Sequence, residues 1–136
     1  MRYINVNQEA ELPDISRFAP FKAVVAVEDR VGRDRQAEIS AWLVEMGCRY
    51  VMSCGDDCDS WSETVRNANL KGMTIGDLEA RDFVMVTAHP REPLKTVFWF
   101  AKNAARHPEV AFREFLVIHL AETGRAGEYE AVFQKA

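Results

Sequence analysis

Cys54-Gly-Asp-Asp-Cys-Asp59 packs two thiols and three carboxylates into six residues, directly after the apolar run Tyr50-Val-Met-Ser53. Thiols and carboxylates at such density are the raw material of metal binding, nucleophilic catalysis and acid–base work. Spacing narrows the choice. A thioredoxin-like redox pair needs two residues between its cysteines, and here there are three. A cysteine-based phosphatase loop needs an arginine six positions after its nucleophile, yet the residues there are Ser60 and Thr64. A zinc site could draw on Cys54, Cys58, His89 and His119 if the fold brought them together, although the spacing is non-standard. The commoner role of free cysteines is as small buried side chains. Asp56, Asp57 and Asp59 have a similar double reading: they suit the start of a helix, whose dipole favours acids, and with Glu28 and Asp29 they could crowd into a cluster that raises a pKa or attracts a divalent cation.

His89 follows an apolar run and precedes Pro90. It is the best candidate for acid–base chemistry, because imidazole titrates near neutral pH. His89, Asp57 and Cys54 are therefore the catalytic candidates, and Glu28, Asp29, Asp56, Asp57, Trp61 and His89 the ligand-binding set. His119 either pairs with His89 or finishes the last strand, and His107-Pro108 reads as a stop that supports helix-end carbonyls. Dinucleotide, P-loop, nucleophile-elbow and helical zinc-protease signatures are all absent. Gly32 in Val31-Gly-Arg-Asp-Arg35 is weak evidence for a phosphate site, kept open by Arg33 and Arg35.

The elements that must position these groups alternate. Phe21-Lys-Ala-Val-Val-Ala-Val27 is nearly continuous in apolar residues, as a strand covered on both faces should be. A helix follows, capped at Asp34, with Ile39, Leu43 and Met46 in register and Gly47 as its stop. The second strand is Arg49–Ser53, and Ser60 and Glu63 have the spacing of a capping box for a helix starting near Trp61. Asp82–Thr87 predicts a third strand that delivers His89 to the same rim as the cysteine loop. Pro93, Leu94, Val97, Phe98, Ala101 and Ala105 predict a third helix, and Phe112–Leu120 a fourth strand. Residues 1–20 read as a wrapping arm or an extra strand, and residues 122–136 as a tail with one docked turn or an edge strand.

This β-α-β order predicts a single α/β domain over residues 1–136: three layers around a mainly parallel four-stranded sheet, Rossmann-like or flavodoxin-like. Counted from Phe21 the suggested strand order is 2-1-3-4, with the first helix on one face and the other two opposite. The crevice would then fall beside Glu28, Asp29 and His89. A net charge of −4 in 136 residues, without basic clusters, argues against nucleic acid as partner. Apolar runs are too short to span a bilayer, and Met1–Asn7 lacks a signal-peptide core. Three cysteines, an odd number, suit reduced thiols in the cytoplasm. Cys54 is expected to be more accessible than Cys48. No cofactor is implied. Trp99 and Phe100, beside the apolar stripe of the third helix, either cover the sheet or form a homodimer face.

Pro20-Phe-Lys-Ala-Val-Val-Ala-Val-Glu28, Met52-Ser-Cys-Gly-Asp-Asp-Cys-Asp-Ser-Trp61, Asn67-Ala-Asn-Leu70 and Phe98-Trp-Phe-Ala-Lys-Asn-Ala104 together resemble a bacterial family of unknown function, over roughly Phe21 to Leu120. The resemblance implies a small stand-alone protein with the cysteine and acid loop in its pattern, and it carries no activity, cofactor or catalytic residue. The functional expectation is a ligand-binding or regulatory domain with its pocket at the rim. A hydrolase using His89 with Asp57 or Cys54, and a protein-interaction module, are the alternatives.

Overall fold

The computed structural model describes residues 1–136. Strands β1 (Arg2–Val6), β2 (Phe21–Val27), β3 (Cys48–Gly55), β4 (Met85–His89) and β5 (Glu114–Leu120) form one sheet in the order β1-β5-β2-β3-β4. Every neighbouring pair is parallel. The helices are α1 (Arg33–Met46), α2 (Ser60–Leu70), α3 (Leu94–Asn103) and α4 (Ala126–Lys135).

The expected four strands are five, and the expected order holds where β3 lies beside β2 but is wrong on the other side of β2. Its second neighbour is β5, paired from Phe21↔Glu114 to Val27↔Leu120. The strand that ends in His89 pairs only with β3, at an edge. The physical reason is burial: Leu116-Val-Ile118 is fully buried and needs helices on both faces, whereas Met85-Val-Thr-Ala88 is only half-buried, as an edge strand can be. The amino terminus supplies β1, which covers the outer side of β5 from Arg2↔Leu116 to Val6↔Leu120. Its continuation is also an arm, pinned where the Trp42 indole donates to the Pro13 carbonyl at 2.8 Å.

Helix placement differs too. From β2 the chain steps to β3 and then β4 in one direction, so successive right-handed crossovers put α1 and α2 on the same face. The return to β5 reverses direction and puts α3 on the other, where α4 joins it. Ile39, Leu43, Trp61 and Val65 fill the first half of the core, and Val97, Phe98, Ala101 and Tyr129 the second. The carboxyl-terminal tail is thus a ten-residue helix, not one turn.

Helix ends also depart from expectation. Gly32, not Asp34, precedes α1, and α2 has no capping box: the Ser60 hydroxyl donates to the Asp57 carbonyl at 2.9 Å. Gly47 does end α1, at φ 103°, where a side chain would come within 2.4 Å of the Ala19 Cβ. Asp82 lies in a 3-10 turn, so β4 begins at Met85. His107 serves that segment and not the α3 carbonyls: its Nε2 meets the Phe83 carbonyl at 2.7 Å. No helix is long and apolar enough to cross a membrane.

Candidate functional site

In a doubly wound sheet, ligands settle at the carboxyl ends of the strands, where neighbouring strands send their connections to opposite faces. That point lies between β2, which leaves toward α1, and β5, which leaves toward α4. The backbones stay paired past the strand ends: Glu28 and Asp29 both donate N–H to the Leu120 carbonyl, at 3.1 and 2.9 Å. A cleft of about 760 Å³ opens here. Val6, Val31 and Leu120 form its floor, with Glu9, Asp29 and Glu122 among its polar lining and no lysine or arginine. Asn7 folds the wall by accepting the N–H groups of Glu9 and Ala10 on its side chain, and Arg35 of α1 holds that turn by donating to the Asn7 and Ala10 carbonyls. The Asp29 carboxylate accepts the Glu122 N–H at 2.9 Å, so one of its oxygens is fixed across the cleft.

On the other face of the same strand ends, His119 is fully buried. Glu28 Oε1 lies 3.2 Å from its Nε2, the Tyr3 hydroxyl meets its Nδ1 at 2.5 Å, and Tyr129 stacks on the ring at 4.4 Å. Glu28 can only accept, so Nε2 carries the proton and Tyr3 donates to Nδ1. Arg125 closes the circuit: its N–H donates to the Tyr3 oxygen at 2.8 Å and its guanidinium to Glu28. That guanidinium holds the Glu28 carboxyl below the usual carboxylate range, with His119 helping and partial burial opposing.

The cysteine loop is built differently from a reactive site. Gly55 takes φ 88°, and a Cβ there would lie 2.2 Å from the Val27 carbonyl oxygen, so the loop runs against β2 and only glycine fits. Cys48, Cys54 and Cys58 are free and buried. Burial pushes the Cys48 and Cys54 thiols up to about 12 and raises Cys58 as well, the reverse of what a nucleophile or thiolate ligand needs. The accessibility expected of Cys54 over Cys48 is absent. Asp56 is paired with Arg30 at 3.2 Å, and Asp57, at φ 55°, reaches the same arginine at 4.0 Å. Trp61, expected near the ligand, is a core side chain.

His89 ends edge strand β4 with Thr87 Oγ1 2.8 Å from Nε2 and Glu92 Oε2 2.9 Å from Nδ1. It makes no hydrogen bond to Asp57 or Cys54, and no three His, Cys, Asp or Glu side chains converge into a set that could hold a metal. The expected rim set therefore divides: Asp29 faces the cleft, Glu28 faces His119, Asp56 and Asp57 face Arg30, and His89 stands at the far edge. Asn7, Glu9, Glu122, Tyr3, Arg125, Thr87 and Glu92 were not among the expected residues. Reading Arg2–Val6 as a strand would have put Asn7 and Glu9 at the rim, and strand alternation already puts Thr87 beside His89.

Fold and rim together define a parallel, doubly wound α/β protein. A family model described as a domain of unknown function (DUF7684) matches residues 1–136, and the chain belongs to that family. No match is found among curated proteins or solved structures.

Proposed function

We propose that the protein is a small-molecule-binding α/β domain whose ligand enters the cleft between the ends of β2 and β5, and that this ligand is cationic or rich in hydroxyl groups. The observation that carries the reading is the lining: Glu9, Asp29 and Glu122 at a topological switch point, with no lysine or arginine to receive a phosphate. Asp29 is the residue of the expected ligand set that takes part, with one oxygen held by Glu122 and the other free for an ammonium or hydroxyl. Pinning of the 7–10 turn by Arg35 supports a pre-formed wall, which lowers the entropy lost on binding. Free, buried thiols favour a reducing compartment such as the cytoplasm.

Thermal melting against spermidine, glucosamine and glucose, with ATP and inorganic phosphate as anionic counterparts, tests the class. Stabilisation by a member of the first group is expected, and Asp29→Asn should weaken that binding at least about tenfold, as loss of a charge-assisted hydrogen bond does. Stabilisation by the anions alone, or indifference to Asp29→Asn, would contradict the reading.

A further inference from the structure

Thr87, His89 and Glu92 lie at the opposite edge of the sheet from the cleft and join in one hydrogen-bonded chain. Alternation along β4 sets Thr87 and His89 on the same face. The turn through Pro90 and Arg91, the latter at φ 60°, returns Glu92 to the His89 ring. A carboxylate only accepts, so Nδ1 carries the imidazole proton, Nε2 is left as acceptor, and the Thr87 hydroxyl donates to it. The ring is 5% exposed, with Phe100 edge-on at 4.7 Å, so its orientation is fixed. Thr87 itself is half-buried.

The same three kinds of group, hydroxyl, imidazole and carboxylate, meet at His119. In that circuit Arg125 occupies both ends, filling the Tyr3 oxygen and pairing with Glu28. At His89 neither end is taken: Glu92 pairs with no cation, and the Thr87 oxygen receives no other donor. The first arrangement is a closed clasp and the second is open. Cys54 is excluded as the nucleophile here by its high thiol pKa.

We propose that Thr87, His89 and Glu92 act as nucleophile, general base and orienting carboxylate in the hydrolysis of esters with small acyl groups. Thr87 Oγ1 bonds to the acyl carbon as its proton passes to His89 Nε2 and the carbonyl electrons move onto oxygen. Collapse of that intermediate breaks the bond to the alcohol, which leaves with the proton from His89. Water then attacks the acyl-threonine carbon, its proton passing through His89 to the departing Thr87 oxygen, and the carboxylic acid is released. The free edge of β4 carries unpaired backbone N–H groups, the donors an oxyanion requires. With His89 buried and Phe100 edge-on against its ring, a short acyl group is the one proposed.

The test is hydrolysis of 4-nitrophenyl acetate by the full chain, followed by intact mass and peptide mapping. Acetylation of Thr87 is expected, with Thr87→Val at least about a hundredfold slower, Thr87→Ser retaining activity and Glu92→Gln lowering kcat. Acetyl groups confined to lysines, cysteines or tyrosines, or wild-type rates from Thr87→Val, would overturn the proposal. Mapping on the wild-type chain decides the matter even if a variant folds poorly. Because the cleft residues are distant from β4, failure here leaves the binding reading untouched, and the reverse also holds.

Discussion

Cys48 and Cys54 show how a residue's chemistry follows from its cover more than from its neighbours in sequence. The spacing from Cys54 to Cys58 invited metal and redox readings, but Cys54, like Cys48, ends inside the core, where ionisation is disfavoured. Their raised pKa values make a statement about stability. In the unfolded chain a thiol ionises near pH 8.5, whereas in the fold these two hold their protons to about 12. Stability contributed by the protonated thiols is therefore complete below about pH 8.5 and drains away as pH rises toward 12. The ceiling for fully buried Cys48 is on the order of 5 kcal/mol. Urea midpoints should fall steadily between about pH 8.5 and 11, and the fall should be smaller in Cys48→Ala. A midpoint independent of pH over that range would contradict the burial of the thiols. Sequence could place Cys54 at a strand end, but whether that end is open or covered depends on helices far along the chain.

At the scale of elements, the most legible features were those with a strong internal pattern. The continuous apolar run of β2, the stripe of α3 and the Gly47 stop of α1 each follow from side-chain periodicity or a left-handed turn, and each is present. Marginal elements were less legible. β1 alternates only weakly, and α4 has Tyr129 as its one buried residue, so neither declares itself without its neighbours. What fixes them is the clasp: Tyr3 from β1, His119 from β5, Glu28 after β2 and Arg125 at the head of α4. Tyr3→Phe keeps the ring and removes the hydroxyl, leaving the Arg125 N–H and His119 Nδ1 without partners. The expected cost is about 1–3 kcal/mol, and amide hydrogen exchange should quicken in α4 before the central strands. Unchanged protection of α4 would mean that aromatic packing, not the polar circuit, holds the helix.

At the scale of the whole molecule, the alternation of strands and helices gave the class of fold, and the direction of each crossover remained open. Strand order depends on which strands tolerate an edge, and the deciding facts were the half-burial of β4 and the pairing of β1 with β5. Placing β5 beside β2 kept the crevice at Asp29 but exchanged His89 for Leu120 and Glu122. The measurement that tests this placement most directly is amide chemical-shift mapping of the isotopically labelled protein against a library of small cationic and hydroxylated fragments. Perturbations should concentrate in residues 7–10, 29–31 and 120–122, the three segments that wall the cleft. Shifts gathered instead around Cys54–Asp57, with the β2 and β5 ends silent, would contradict the account.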